Sequence, residues 1–198
     1  MCGIAGIFDL DQTRDIDRAL LDRMNQSQFH RGPDEGGLHV EPGVGLGHRR
    51  LSIIDLSSGQ QPMHSADGNL CVVYNGEIYN FAELREDLTA QGYTFRTRCD
   101  TEVILYAWQA WGESCVDQFR GMFAFALFDR AAQSLFLARD RLGIKPLFYT
   151  ILSDGHLIFG SELKVLKQHP RLPRAVDASA IEDYFALGYV PEPKTIYS

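Results

Sequence analysis

The second residue of the chain, Cys2, has the strongest potential for chemistry. A small second residue favours removal of the initiator methionine, so we expect a mature chain that begins with a cysteine carrying both a thiol and a free α-amine. An α-amine pKa of ~7.7 to 8.0, against ~8.5 for a thiol, suits the amine to accept a proton at neutral pH. Cys2 is therefore a candidate nucleophile with its own base. The structural alternative is a small buried residue in the first strand.

The pair Asn75-Gly76, which follows the apolar segment 70–74, is the second candidate. Asn-Gly is typical of a two-residue hairpin turn. The residues after it, however, lead into a helical pattern and not into a returning strand. An asparagine amide and a glycine N–H at one strand end could instead donate two hydrogen bonds to a developing oxyanion. The residues alone leave both interpretations open.

Two charged residues are candidates for binding a substrate. Arg50 ends a predicted strand, where only one of Arg49 and Arg50 can face a given pocket, and a guanidinium binds a carboxylate bidentately. Asp100 precedes a predicted helix, where it could hold an ammonium group. The structural alternatives are a solvent-exposed charge for Arg50 and a helix N-cap for Asp100.

The remaining histidines and cysteines show no spacing typical of metal ligands, so the sequence predicts no metal site. We interpret these residues as structural: His39, His64, His156, His169, Cys71, Cys99 and Cys115.

Charge and hydropathy exclude several classes of function. The 198 residues include 19 Lys and Arg against 26 Asp and Glu, a formal charge of −7, which argues against nucleic-acid binding. The longest apolar run has about eight residues, far below the roughly 20 that cross a bilayer. No basic and then apolar signal region is present at the N-terminus. We therefore expect a cytoplasmic protein without membrane contact.

Apolar periodicity predicts an α+β fold. We expect helices over 16–28, 81–91 and 101–112, and strands over 3–8, 37–41, 44–50, 70–74, 122–129, 134–138, 147–152 and 157–159. Helices bracketed by antiparallel strands indicate two stacked sheets covered by helices, a four-layer α/β/β/α sandwich. We expect one domain over 1–176, followed by a short helix and a linker over 177–198.

Seven segments together resemble the class II, or N-terminal nucleophile (Ntn), glutamine amidotransferase domain, and in particular the glutaminase half of asparagine synthetases. The resemblance covers nearly the whole chain. The matching segments are 1–6 (MCGIAG), 30–34 (HRGPD), 50–55 (RLSIID), 75–80 (NGEIYN), 100–104 (DTEVI), 121–126 (GMFAFA) and 139–147 (RDRLGIKPL).

This resemblance implies an Ntn-hydrolase fold and a role for each candidate. Cys2 would attack the side-chain amide of L-glutamine and form a γ-glutamyl thioester, which water hydrolyses to glutamate. Asn75 and Gly76 would form the oxyanion hole. Arg50 would bind the α-carboxylate of the substrate, and Asp100 and Glu77 would bind its α-ammonium. The wall of the pocket would be made by the main chain of Leu51, Ser52, Ile53 and Ile54.

The resemblance also implies what lies beyond this reaction. No cofactor or metal is expected in this domain. ATP and magnesium would act only in a C-terminal synthetase domain that receives the ammonia and converts aspartate to asparagine, and a homodimer is compatible with the pattern. Two alternatives remain: a non-catalytic glutamine-binding regulatory module, and an Ntn amidohydrolase that acts on another amide.

Overall fold

The computed structural model describes residues 1–52 and 59–197, and these residues form nine strands and six α-helices. The strands are β1 (Gly3–Asp9), β2 (Glu35–Glu41), β3 (Val44–Arg50), β4 (Met63–His64), β5 (Leu70–Ile78), β6 (Gly121–Asp129), β7 (Ser134–Arg139), β8 (Phe148–Ile151) and β9 (His156–Gly160). The helices are α1 (Arg18–Gln26), α2 (Phe81–Ala90), α3 (Asp100–Trp111), α4 (Cys115–Gln118), α5 (Leu163–Leu166) and α6 (Ala178–Leu187).

Two antiparallel sheets form the centre of the fold. The five-stranded sheet has the order β2-β3-β1-β9-β8, and the four-stranded sheet has the order β4-β5-β6-β7. Helices α1 and α5 cover the outer face of the first sheet, and α2 and α3 cover that of the second. The predicted four-layer α/β/β/α arrangement is confirmed.

Strand β5 shows how its sequence produces this layering. Cys71 and Val73 point between the two sheets, whereas Leu70, Val72 and Tyr74 pack with α3. Successive strand residues face opposite sides, so a strand that is apolar at nearly every position must be covered on both faces. The continuous apolar run 70–74 therefore specifies a central layer.

Most predicted elements are present with shifted ends. The helix expected over 16–28 is shorter, since Asp17 caps α1 by accepting hydrogen bonds from the N–H groups of Ala19 and Leu20. The strand expected over 70–74 is longer, because β5 continues to Ile78 in register with β6. The sequence pattern missed the short elements β4, α4 and α5.

The C-terminal segment folds back against the rest of the chain. Ile196, which follows α6, accepts a hydrogen bond at its carbonyl oxygen from the N–H of Asp177, the residue before α6. The Glu192 carboxylate accepts hydrogen bonds of 3.0 Å from the Arg139 guanidinium. That this segment is a linker stays a prediction. None of the helices in the described part of the chain combines the length and apolarity needed to cross a bilayer.

Candidate active site

A cavity of about 220 Å³ opens where four elements converge: the beginning of β1, the end of β3, the last part of β5 and the beginning of α3. It is lined by Met1, Cys2, Arg50, Leu51, Gly59, Gln61, Tyr74, Asn75, Gly76, Glu77, Cys99, Asp100, Thr101, Met122 and Lys145. Seven residues that the sequence predicts as a site thus share one cavity. Ser52 does not line it, and its N–H donates to Asp34 Oδ2 at 2.8 Å. Ile53 and Ile54 lie outside the described residues.

The Cys2 thiol lies against the main chain of Leu51. The Leu51 N–H donates to Cys2 Sγ at 3.4 Å, and Sγ lies 3.7 Å from the Leu51 carbonyl oxygen. Burial raises the pKa of the Cys2 thiol, although the Leu51 N–H, the Met1 amine and Arg50 act in the opposite direction. A thiol with a raised pKa is mostly protonated at neutral pH, so a nucleophilic Cys2 requires a base.

Asn75 and Gly76 lie inside β5, where they pair with Ala124 and Phe123. The expectation that the strand stops at these residues is wrong, and so is the hairpin alternative, because the ladder with β6 continues through them. Asn75 Nδ2 is buried and has no hydrogen-bond acceptor in the described structure. Burying a donor without a hydrogen bond normally costs ~1–3 kcal/mol of folding free energy. The Asn75 amide is therefore available to a ligand.

Gly76 is required by the spacing between β5 and β6. A Cβ at this position would lie 2.4 Å from the Met122 carbonyl oxygen and 2.7 Å from the Phe123 Cα. Both are main-chain atoms and cannot move aside. A side chain at residue 76 would therefore push the two strands apart exactly beside the amide of Asn75.

His48 connects the two sheets behind this part of β5. Its Nε2 donates to the Tyr74 carbonyl oxygen at 3.0 Å, so the proton sits on Nε2. Full burial lowers the His48 pKa to about 3. His48 is therefore neutral at physiological pH and fixes the residue that precedes Asn75.

The two arginines at the end of β3 point to different places, as the strand period predicts. Arg49 Nε donates to the Gly32 carbonyl oxygen at 2.9 Å, away from the cavity. Arg50 lines the cavity, and its Nη1 lies 2.9 Å from Glu35 Oε2. The side chain of Arg50 is only 5% exposed, which excludes the alternative of a solvent-exposed charge.

Asp100 is not the N-cap of α3. The cap position is Cys99, and Asp100 is the first helical residue. Asp100 Oδ2 accepts hydrogen bonds from the Tyr74 hydroxyl at 2.7 Å and the Ile78 N–H at 3.1 Å. Burial raises the pKa of the Asp100 carboxyl, and the nearby Glu77 contributes in the same direction. A cation bound beside these two carboxylates would relieve the cost of burying Asp100.

Sequence reasoning assigned no role to two further residues that line the cavity. Gln61 Oε1 accepts the Tyr74 N–H at 2.7 Å, and Gln61 Nε2 donates to Thr101 Oγ1 at 3.3 Å. Lys145 is buried at the cavity wall. The only sequence signal for Lys145 was its place in the segment 139–147; Gln61 had none.

A carboxylate on the neighbouring loop positions Lys145. Asp140 Oδ2 accepts hydrogen bonds from the N–H groups of Lys145 at 3.0 Å and Phe123 at 3.1 Å, while Oδ1 accepts from Ile144 at 2.9 Å. Burial would raise the Asp140 pKa, but these backbone donors outweigh it and the pKa is lowered. Asp140 therefore ties the Lys145 loop to β6.

The cavity combines a thiol, an unpaired amide donor, two cations and two carboxylates. This set is suited to acyl transfer from an amide whose substrate carries both a positive and a negative charge. No step of such a reaction requires a metal.

Comparison with known proteins gives concordant results. The family model described as a glutamine amidotransferase domain matches residues 1–198. The chain is 44% identical over 199 residues to asparagine synthetase (glutamine-hydrolysing) 1 of Bacillus subtilis, and this match covers 99% of the chain and 31% of that protein. It is 38% identical to a putative asparagine synthetase of Methanocaldococcus jannaschii, which covers 100% of the chain and 41% of that protein.

The fold has a counterpart among solved structures. The glutamine phosphoribosylpyrophosphate amidotransferase of B. subtilis, solved with ADP and GMP, superposes with a TM-score of 0.70 at 20% identity, covering 84% of this chain and 43% of that chain. At this identity the similarity concerns the fold alone. The chain spans about a third of the length of the B. subtilis asparagine synthetase above.

Proposed function

The chain belongs to the glutamine amidotransferase family, and from this premise we propose that it hydrolyses L-glutamine at Cys2 and passes the ammonia to a synthetase. The observation that carries the proposal is the buried, unpaired Nδ2 of Asn75 in the cavity that also holds the Cys2 thiol. A nucleophile and an uncommitted donor in one cavity are the two components that amide cleavage requires.

The proposed reaction has two steps. Once Met1 is removed, the α-amine of Cys2 takes the thiol proton, and Sγ attacks the amide carbon of glutamine. The oxyanion is stabilised by Asn75 Nδ2 and the Gly76 N–H. The C–N bond then breaks, the departing nitrogen takes the proton and leaves as ammonia, and a γ-glutamyl thioester remains. In the second step the amine takes a proton from water, whose oxygen attacks the thioester carbon. The C–S bond then breaks, the amine returns the proton to Sγ, and glutamate leaves.

The charged groups of the cavity support glutamine as the substrate. Arg50 would bind the α-carboxylate, because its guanidinium lines the cavity and a guanidinium binds carboxylates through paired N–H donors. Asp100 and Glu77 would bind the α-ammonium. Leu51 would contribute its main chain beside Cys2, with Ser52, Ile53 and Ile54 continuing this wall.

The ammonia acceptor is proposed from the relatives. The relatives are asparagine synthetases by name, and most of their length lies outside the match. We infer that the acceptor is aspartate, activated with ATP and magnesium in a synthetase domain. The exposed apolar residues of α6 support a partner surface at the C-terminal side: Ile181, Tyr184, Phe185 and Leu187.

The test is ammonia release by protein whose N-terminus has been verified by mass spectrometry. L-glutamine should be hydrolysed, whereas 4-carbamoylbutanoate, which lacks the α-ammonium, and 4-aminobutanamide, which lacks the α-carboxylate, should be poor substrates. Glutamine binding without ammonia release would instead support a regulatory module. Preference for an amide with neither charged group would support a different amidohydrolase. Cys2→Ala should release no ammonia. Cys115→Ser is its matched control, because it changes a buried cysteine that does not line the cavity, and it should keep the wild-type rate.

A further inference from the structure

Three side chains from three different strands meet at one edge of the sheet sandwich. His39 lies on β2 of the first sheet, and His64 and Cys71 lie on β4 and β5 of the second. Their ligating atoms all lie within 4.8 Å of one another, and Cys71 Sγ is 3.8 Å from His64 Nε2. Within residues 1–52 and 59–197, this is the one group of three such side chains close enough to share an ion.

The cluster is separate from the glutaminase cavity. None of its members lines that cavity. In the β2–β3 ladder His39 pairs with Leu46, four residues from the pairing of Glu35 with Arg50. At ~3.4 Å per residue this places it about 14 Å from the cavity end of β3.

His39 has a hydrogen-bonding atom with no partner. Its Nε2 is buried and makes no hydrogen bond in the described structure, and the nearest acidic oxygen, Glu41 Oε2, is 3.6 Å away. The His39 and His64 rings lie edge to face with centroids 4.9 Å apart. A metal ion between the two rings would give His39 Nε2 the partner that it lacks in the described structure.

We propose that His39, His64 and Cys71 bind a zinc ion that links the edges of the two sheets. Zinc accepts imidazole nitrogen and thiolate sulfur together, at about 2.0–2.1 Å and 2.3 Å. Tetrahedral geometry at these bond lengths places the ligand atoms about 3.3–3.6 Å apart. A separation of 4.8 Å, the upper bound of the observed distances, would have to shorten by about 1.2–1.5 Å, which rotation of two side chains can share. The Cys71 thiol loses its proton to solvent as the Zn–S bond forms.

The carboxylate of Glu41 offsets part of the positive charge at the proposed site. Zn²⁺ with one thiolate and two neutral imidazoles has a net charge of +1, and Arg130 adds another positive charge nearby. The Glu41 carboxylate, 2.6 Å from Arg130 Nη2, offsets this charge. Glu41 or a water molecule supplies the fourth ligand.

Cobalt is the spectroscopic probe for this site, because a thiolate–Co²⁺ bond gives a charge-transfer absorption that imidazole and carboxylate ligands do not. The experiment uses the full chain with Cys2→Ala, which removes the accessible thiol of the cavity. We expect one equivalent of Co²⁺ to bind with this absorption, and Zn²⁺ to displace it. Changing even an outer partner of a metal ligand costs 10–100-fold in affinity. Cys71→Ser and His64→Gln should therefore weaken binding by at least 100-fold.

Cys115→Ser is the matched control, since Cys115 is as buried as Cys71. It should retain both the absorption and the affinity. His39→Gln, at a partly exposed residue, serves as the second ligand variant if Cys71→Ser fails to fold by circular dichroism. Absence of the absorption, its persistence in Cys71→Ser, or unchanged affinity in His39→Gln would each overturn the proposal.

Discussion

Replacing Asn75 by alanine should separate catalysis from stability. Asn75 Nδ2 makes no hydrogen bond in the described structure, so the change breaks no bond from that atom in the free enzyme. The change also removes a buried unpaired donor, which costs the folded state ~1–3 kcal/mol. This gain offsets the packing contacts that are lost with the small amide. The free energy of unfolding should change by less than ~1 kcal/mol. In the transition state the same donor would stabilise the oxyanion by ~2.7–4 kcal/mol, so kcat should fall 10²- to 10³-fold with little change in KM.

Asn25→Ala is the matched control for this prediction. Asn25 is as buried as Asn75, but its Nδ2 donates to the His48 carbonyl oxygen at 3.2 Å. Asn25 Oδ1 has no partner in the described structure, so this change removes one unpaired atom, as Asn75→Ala does, and in addition breaks one hydrogen bond. It should therefore lower the free energy of unfolding by ~0.5–1.5 kcal/mol more than Asn75→Ala does, and leave kcat within a few-fold of wild type. Glutamate production and urea unfolding measure the two quantities. A kcat for Asn75→Ala within threefold of wild type, in protein that unfolds at the wild-type urea concentration, would refute the oxyanion role.

Three further predictions concern substrate binding, the N-terminus and acid stability. Asp100→Asn keeps an oxygen for the Tyr74 and Ile78 donors and removes only the charge. Asp100→Asn and Arg50→Ala should each lose ~1.5–3 kcal/mol of substrate binding and raise KM ten- to hundred-fold. An unchanged KM in both variants would mean that the two residues have a structural role only. Protein that retains Met1 has an amide in place of the basic amine and should be inactive in the ammonia assay; wild-type rates from mass-verified material would exclude the amine as base. His48 has a folded pKa of about 3, below its unfolded value of ~6.5, so the unfolded state binds the extra proton and stability falls as pH drops from 6.5 toward 3. His48→Gln should reduce this loss by up to ~1.4 kcal/mol per pH unit in urea unfolding, and identical pH slopes for both proteins would contradict a buried neutral imidazole.

The layers of the fold could be predicted from the sequence, because the spacing of apolar residues along a strand or helix shows which of its faces are buried. The run 70–74 is apolar on both faces and lies in a central layer, whereas β4 has two residues and no period to detect. The end of β5 could not be predicted, because Asn75 and Gly76 are held in the strand by pairing with residues of β6 that lie 47 to 49 positions further along the chain. Asp100 illustrates the same limit. An acidic residue before a helix is typical of an N-cap, but here the carboxylate accepts hydrogen bonds from the Tyr74 hydroxyl and the Ile78 N–H, both on β5.

Clusters of side chains from different strands also cannot be predicted from the spacing of residues along the sequence. The histidines and cysteines show no metal-ligand spacing along the chain, yet three of them converge because two edge strands from different sheets meet. Gln61 and Lys145 reach the cavity from loops, where no period signals which way a side chain points. Chemical type and position were the signal for five residues of the site: Cys2 at the second position, Asn75 with Gly76, Arg50 at a strand end and Asp100 before a helix. Leu51 and Glu77 were predicted only through the resemblance to the family.

The most direct test of Cys2 as the nucleophile is to trap the covalent intermediate. Protein lacking Met1 is mixed with L-glutamine, quenched in acid within the turnover time and digested for mass spectrometry. We predict that the peptide containing Cys2 gains the mass of glutamine less ammonia, that the gain disappears on treatment with hydroxylamine, and that Cys2→Ala shows neither adduct nor ammonia release. Turnover of glutamine by Cys2→Ala, or an adduct on Cys71, Cys99 or Cys115 in its place, would contradict it.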